Sequence, residues 1–181
     1  MAFNLSQFAS RLKTGGARPT LFEVKLFNPI AGDSDILTPL FVRTAALPES
    51  LVGTIEVPYF GRKLKVPGDR TFNPWTVTVI NDEDFKIRDR LERWSAAINS
   101  HQSNLRARKD ITDLKNTAQV TQYGKSGDIL RVYEFVGIYP ASISAIDLDW
   151  ETTDTLETFQ VEFQYDYWDV KSGSTKTVSL Q

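Results

Sequence analysis

The stretch VPGDRTFNPWTVTVINDEDFKIRDRLERWSAAI, residues 66–98, decides how the rest of the chain is arranged. Within it, Trp75, Val77 and Val79 alternate with two threonines. Alternation of this kind predicts a strand with one apolar face and one hydroxyl face. Polar and acidic residues follow the strand at once, so the chain is expected to turn there and enter a helix.

The helix is predicted to run from Asp82 to Asn99. Asn81 or Asp82 can cap its first turn, and the acidic residues that follow favour the positive end of a helix dipole. Four apolar residues then form one stripe at spacings of 4, 3 and 4: Ile87, Leu91, Trp94 and Ile98. A helix with such a stripe packs against other apolar elements, and the surrounding sequence supplies strands rather than helices.

Alternating apolar and polar residues predict the remaining strands. They lie at residues 21–27, 40–47, 118–123, 129–139, 146–150 and 159–167, and a Gly-containing turn joins the third and fourth into a hairpin. The sequence therefore predicts a mainly β protein of the α+β type. Its fold is an antiparallel β-barrel or sandwich with one flanking amphipathic helix.

Several motifs recur in a fixed order along the chain. A GDRTF loop at residues 68–72 leads into the WTVTV strand at 75–79, an NDE turn at 81–83 and a helix. Shorter motifs are Ala17-Arg18-Pro19, Ala45-Ala46-Leu47-Pro48, Leu148-Asp149-Trp150, Thr158-Phe159 and Asp166-Tyr167-Trp168. In this order they resemble the major tail tube proteins of contractile-tailed, myovirus-type bacteriophages, over roughly residues 17–168.

The resemblance implies a structural virion protein. It implies hexameric rings that stack into the inner tube of a contractile tail, a surrounding tail sheath protein, and phage DNA that passes down the bore without specific binding. It also implies a baseplate tube initiator, a tail terminator, and a fold similar to the type VI secretion tube. The predicted helix would flank the barrel on the outside, where three basic side chains face sheath, a neighbouring subunit or solvent: Lys86, Arg90 and Arg93.

Amino-acid composition limits the number of domains, the kinds of partner and the kinds of site that the chain can have. The 181 residues suit a single domain, here 1–181, and the net charge of −2 gives no overall reason to bind nucleic acid. There is no cysteine and one histidine, so disulfides and zinc–thiolate sites are excluded. No apolar run reaches membrane-span length and no signal peptide is evident, so we expect assembly in the host cytoplasm and no membrane anchor.

Three segments lie outside the predicted sheet: an N-terminal arm at 1–16, an extended loop at 51–71 and a C-terminal tail at 170–181. The loop is too long for a tight turn, and its proline, glycine and basic content predicts that it is not ordered before assembly. Aromatic and charged side chains make it a candidate contact between subunits or rings, through Tyr59, Phe60, Arg62, Lys63, Lys65, Asp69 and Arg70.

The C-terminal third of the chain is acidic. Between Arg131 and Lys171 there are nine acidic residues and neither lysine nor arginine. Asp147 and Asp149 lie two apart on a predicted strand, which suits a cation or an acid–base pair. No histidine, cysteine or phosphate-binding loop lies where it could join them, so we expect no catalytic, metal or cofactor site, and no cofactor.

The edges of a long antiparallel sheet invite pairing with other chains. If identical subunits pair edge to edge in a closed ring, their polar sheet faces line a channel. An acidic channel repels DNA phosphates, so the candidate lining residues are Glu134, Asp147, Asp149, Glu162 and Asp166. Parity alone leaves open whether Thr76 and Thr78, or the series beginning at Gln160, line it instead.

Other functions fit the same residues. A tube-initiating baseplate protein, a tube terminator or a type VI secretion-like tube subunit would share the fold. A monomeric β-barrel that binds a small ligand would instead need an apolar pocket facing inward. Rings or open-ended tubes of the purified protein would favour assembly over that last alternative.

Overall fold

The computed structural model describes residues 9–10, 12, 15–30 and 41–172 of the chain. The strands are β1 (Phe22–Leu26), β2 (Val42–Ala45), β3 (Leu51–Tyr59), β4 (Arg62–Thr71), β5 (Trp75–Ile80), β6 (Asn116–Tyr123), β7 (Ile129–Ile143), β8 (Thr158–Gln164) and β9 (Tyr167–Ser172). The helix α1 spans Lys86–Ile98, and a short 3-10 helix spans Thr112–Leu114. The mainly β architecture with an amphipathic helix at Lys86–Ile98 is as predicted.

Seven strands form one antiparallel sheet in the order β1-β6-β7-β8-β5-β2, with β9 also paired to β7. The 15-residue strand β7 connects two halves of this sheet. Its beginning pairs with β6 and β9, and its end pairs with β8. We call β1, β6, β9 and the start of β7 the first half-sheet, and β2, β5, β8 and the end of β7 the second half-sheet.

The two half-sheets face each other across one apolar core. Trp75 of β5 stacks on Phe135 of β7 with ring centroids 4.4 Å apart, so side chains of opposite half-sheets meet directly. Fully buried residues of both halves join one cluster: Val24, Leu26, Val77, Val79, Ala118, Phe135, Val161 and Phe163. Over the part of the chain that the structure describes, the end strands β1 and β2 are not paired with each other. The fold is therefore a sandwich rather than a closed barrel.

A bend divides β8 from β9. Both strands run antiparallel to β7, and together they form one long strand interrupted at Tyr165 and Asp166. Opposite the interruption, Gly137 has φ +70, a conformation that L side chains rarely adopt. A Cβ on Gly137 would lie 2.0 Å from Asp166 Oδ2, so only glycine fits at this bend.

Helix α1 buries the predicted stripe. Ile87, Leu91 and Trp94 are buried, and the Trp94 Nε1–H donates to the Leu114 carbonyl at 2.8 Å. The helix begins at Lys86, four residues later than predicted, because the preceding residue, Phe85, has a left-handed φ of 52. Asp82 still serves the helix start, since its carboxylate accepts the Lys86 backbone N–H at 3.0 Å.

Two strand predictions are wrong. Residues 146–150 form a loop, since the Asp149 carboxylate accepts hydrogen bonds from the Glu151 backbone N–H and the Thr152 hydroxyl, a local turn that competes with a strand. Strand β7 also continues past Pro140 to residue 143. Proline is tolerated there because this part of β7 pairs only with β8 and has its other edge free.

Segment boundaries also differ from prediction. Residues 51–71, expected to be an extended loop, form the hairpin β3–β4, and the first residues of the expected tail at 170–181 end strand β9. Residues 173–181, most of the expected N-terminal arm and residues 31–40 lie outside the described residues.

Candidate assembly surfaces

The hairpin β3–β4 is a two-stranded sheet of its own, unpaired with the main sheet. Every residue of both strands is exposed except Gly68, which is intermediate. Its tip turns through Phe60 and Gly61, both with positive φ, as the tightest hairpin turns require. Phenylalanine is a strained choice for this position, and its side chain is 89% exposed. The exposed aromatic side chain at this strained position makes the tip a candidate contact surface.

The hairpin has one apolar and one polar face. Cross-strand pairs alternate between Ile55↔Val66 and Val57↔Leu64 on one side and Glu56↔Lys65 and Pro58↔Lys63 on the other. We define the apolar hairpin face as Ile55, Val57, Tyr59, Leu64 and Val66. These side chains are 37–69% exposed although they are as apolar as core residues. An exposed apolar face of this kind is typical of a protein interaction site.

The predicted contact residues of this segment fall at three places. Tyr59 and Phe60 lie at the tip with an edge-to-face ring contact, their centroids 4.7 Å apart, and Arg62 begins the return strand. Lys63 and Lys65 lie on the polar face, where the Lys63 Nζ is 2.6 Å from a Glu56 carboxylate oxygen. Asp69 and Arg70 lie near the base, where Arg70 donates to the Ser50 hydroxyl. Sequence reasoning missed Ile55, Val57 and Leu64, whose alternation was the available signal.

The five predicted channel acids do not meet on one surface. Asp147 and Asp149 lie in the exposed loop that follows β7. Asp166 lies at the bend, with an oxygen 2.7 Å from the Lys115 Nζ. Glu134 and Glu162 point away from the core on opposite half-sheets.

Glu134 is buried and neutralised by a cation. Its carboxylate accepts a hydrogen bond from Gln119 at 3.2 Å and lies 2.5 Å from the Lys171 Nζ. The hydrogen bond with Glu134 raises the pKa of the Lys171 ammonium above its usual value. On the same outer face, the Lys25 ammonium lies 3.4 Å from Glu23. These two lysines on the outer side of the first half-sheet are thus each paired with an acid, and Asp169 lies across from Glu134 on the same side.

The outer side of the second half-sheet is different. Thr76 lies across from Glu162 and Thr78 across from Gln160, in register on β5 and β8. Together with Gln164 these side chains make a surface of hydroxyls and amides with one carboxylate. We call it the hydroxyl–amide face: Thr76, Thr78, Gln160, Glu162 and Gln164. It contains both sets of residues that strand alternation left open as channel linings, the two threonines and the series beginning at Gln160.

The polar side of α1 bears exposed ion pairs. The Arg93 guanidinium lies 2.9 Å from Asp89, one turn earlier, and Lys86 pairs with Asp84. The hydrogen bond with Lys86 lowers the pKa of Asp84, and the same bond raises the pKa of Lys86. Exposed pairs of this kind contribute little to folding stability. They leave the helix surface hydrophilic, as in a surface that meets solvent or a polar partner.

The described residues offer no group of three or more potential metal ligands. Across the same part of the chain, no helix is both long and apolar enough to cross a bilayer. What the geometry does offer is apolar area on a hairpin, open strand edges and a hydrophilic sheet face.

Comparison with known proteins identifies relatives of this chain in sequence and in fold. A family model described as phage tail tube protein matches residues 7–171. Tail tube protein gp19 of Enterobacteria phage T4 is 33% identical over 154 residues, which cover 84% of this chain and 91% of that protein.

Two solved structures share the fold. A chain of the anti-feeding prophage baseplate superposes with a TM-score of 0.63 at 15% identity, over 88% of this chain and 98% of that one. A chain of the sheath–tube complex of an extracellular contractile injection system, in its extended state, superposes with a TM-score of 0.58 at 16% identity, over 94% and 99%.

Proposed function

The chain belongs to the phage tail tube protein family, and from this premise we propose that six copies join edge to edge into a ring and that rings stack into the inner tube of a contractile tail. A tail tube protein is a structural component of the virion tail. The hexameric ring, its stacking and its partners are the proposed part.

The apolar hairpin face is the observation that supports stacking. An isolated two-stranded hairpin is marginally stable in water, and this one joins no other sheet among the described residues. Its five apolar side chains would gain burial against another chain. A second copy of the subunit supplies that surface at high local concentration inside a tube.

Open edges support ring closure. Within the described residues, β2 has a partner only on its β5 side and β1 only on its β6 side. Unpaired N–H and C=O groups at such edges form hydrogen bonds with an added strand. Because the two edges belong to different half-sheets, a head-to-tail arrangement of copies can close into a ring.

The hydroxyl–amide face is the proposed lining of the bore. None of these five side chains is a lysine or arginine that could hold a DNA phosphate, and Glu162 adds one negative charge for each subunit. The adjoining edge strand β2 contributes Arg43 beside this face. The opposite outer face is a poorer lining, because Lys25 and Lys171 lie on it. Of the acids first predicted to line the bore, Glu162 fits this proposal best, since Glu134 and Asp166 are paired with lysines.

The proposed partners are the tail sheath, a baseplate initiator and a tube terminator. One solved relative in fold comes from a sheath–tube complex and another from a baseplate, which fits a subunit that meets such neighbours. The exposed ion pairs of α1, including Lys86 and Arg93, suit an outward surface. We propose no catalytic role, and DNA is cargo rather than a specifically bound ligand.

Assembly of purified subunits tests the proposal. Wild-type protein, with the baseplate initiator added if needed, should give six-fold rings or tubes in negative-stain micrographs. Leu64→Asp places a charge on the apolar hairpin face and should abolish assembly, whereas Thr54→Asp adds the same charge on the polar face and should not. Wild-type protein that stays monomeric at high concentration with initiator present would contradict the proposal.

Thiol labelling in assembled tubes tests whether the hydroxyl–amide face lines the bore. The chain lacks cysteine, so Glu162→Cys introduces a single thiol. A small maleimide should label it, and a bulky maleimide–protein conjugate should not, because only the small reagent enters the bore. Lys86→Cys on α1 provides the outer control and should accept both reagents. Equal labelling at residue 162 by both reagents would place this face outside.

A further inference from the structure

A second unpartnered apolar surface lies far from the hairpin. In the loop between β7 and β8, Trp150 is 101% exposed and Leu148 is 84% exposed. Residues 147–156 of this loop contain four acids and no base: Asp147, Asp149, Glu151 and Asp154. We call residues 147–156 the acidic loop. Tryptophan has the largest side chain in this loop, so it would gain the most free energy from burial against a partner.

The acidic loop is anchored at both ends. Ile146 packs against the core just before it, and the Asn81 backbone N–H donates to the Glu157 carbonyl just after it, at 2.9 Å. Within the loop, the Asp149 carboxylate fixes a turn. Trp150 is therefore held outward by a short, tethered loop.

An apolar pocket lies beside the C-terminal end of α1. Ile98, Ile111, Leu114 and Tyr139 line it, and Arg106 and Lys115 lie at its rim. Its volume is about 200 Å³. Pockets for drug-sized ligands hold roughly 300–1,000 Å³, so this one is suited to a single side chain.

Loop and pocket lie at opposite ends of the helix. Near its start, the Arg88 guanidinium donates to the Ser144 carbonyl at 3.2 Å, just before the acidic loop. The pocket includes Ile98, the last helical residue. A helix of 13 residues is about 20 Å long. Two complementary surfaces at opposite ends of one subunit make a head-to-tail contact that repeats along an assembly.

We propose that Trp150 of one subunit inserts into this pocket of a second copy. The inference rests on the proposed assembly of the chain. The charges are complementary, since the loop has four acids and no base, while residues 106–115 around the pocket have four bases and two acids. Opposite charges align the two surfaces, and the indole buries against the apolar pocket residues.

Paired variants of the full-length chain test this contact. Trp150→Ala removes the inserted side chain and keeps the pocket, whereas Ile111→Glu blocks the pocket and keeps the tryptophan. Each should raise the protein concentration needed for assembly by at least about tenfold, the effect of losing an interface hot spot. Ile129→Glu is the matched control, because Ile129 and Ile111 are each 50% exposed. It should leave assembly unchanged.

Mixing separates a lost contact from damaged subunits. An equimolar mixture of the two variants should assemble at a lower concentration than either alone, since the tryptophan of one fits the pocket of the other. Iodide quenching of tryptophan fluorescence should fall on wild-type assembly and stay constant in a Trp150→Phe chain. If Trp150→Ala forms tubes as wild type does, or if iodide still reaches Trp150 in tubes, the contact is wrong while the tube function stands. If wild-type chains form no tubes, the proposed function itself fails.

Discussion

The β5–α1–β8 region and the hairpin β3–β4 use the same sequence pattern with opposite results. In both, apolar side chains alternate with polar ones along two paired strands. The core-facing apolar side chains of β5 and β8 are 0–3% exposed, because α1 and the first half-sheet cover them. Those of the apolar hairpin face are 37–69% exposed, because no described residue outside the hairpin covers them.

The difference separates folding from assembly. The covered region supplies the stability of the single subunit, since burial of apolar area is the main favourable contribution to folding. The uncovered hairpin adds little to that stability and keeps its apolar area for a neighbour. Substitutions in the two regions should therefore affect different measurements.

The largest expected effect comes from the covered region. Trp94→Ala should lower the free energy of unfolding by about 3–5 kcal/mol, since it leaves a cavity and removes the hydrogen bond to Leu114. Trp150→Ala makes the same chemical change at an exposed site and should alter it by less than about 0.5 kcal/mol. Urea unfolding of dilute subunits, followed by circular dichroism, measures both. Equal losses would contradict the distinction between covered side chains, which stabilise the subunit, and uncovered ones, which do not.

Glycine substitutions give the next largest effect. Gly137→Ala should cost at least about 1–2 kcal/mol, because a left-handed backbone disfavours alanine and the new Cβ collides with Asp166. Gly61→Ala at the hairpin tip has a similar φ of +76 but open space around it. It should loosen the hairpin and leave global unfolding within about 0.5 kcal/mol of wild type. A global loss at Gly61 as large as at Gly137 would mean that hairpin and core fold as one unit.

Much of the covered region could be predicted from sequence. The alternation from Trp75 and the stripe through Trp94 are local patterns, and local patterns report which side of an element is apolar. The start of α1 was misplaced because Phe85 adopts a left-handed conformation that composition does not reveal. The strand expected at 146–150 was wrong because the Asp149 side chain stabilises a turn there.

The candidate surfaces were harder to predict, because burial depends on distant parts of the chain. The segment at 51–71 is predicted to be a contact surface, which stays a prediction, and its prolines and glycines concealed two paired strands. The acids at Glu134 and Asp166 were visible, but the lysines that pair with them, Lys171 and Lys115, come from distant positions. Sequence patterns identify the sides of elements and do not identify which sides face each other.

Backbone hydrogen exchange of the hairpin, compared between dilute subunits and assembled tubes, tests the central claim most directly. Amides of β5 and β8 should be protected in both states. Amides of β3 and β4 should exchange rapidly in the subunit and become protected in the tube, because only the neighbour covers them. Hairpin amides as protected as those of β5 in dilute subunits, or still unprotected in tubes, would contradict the account.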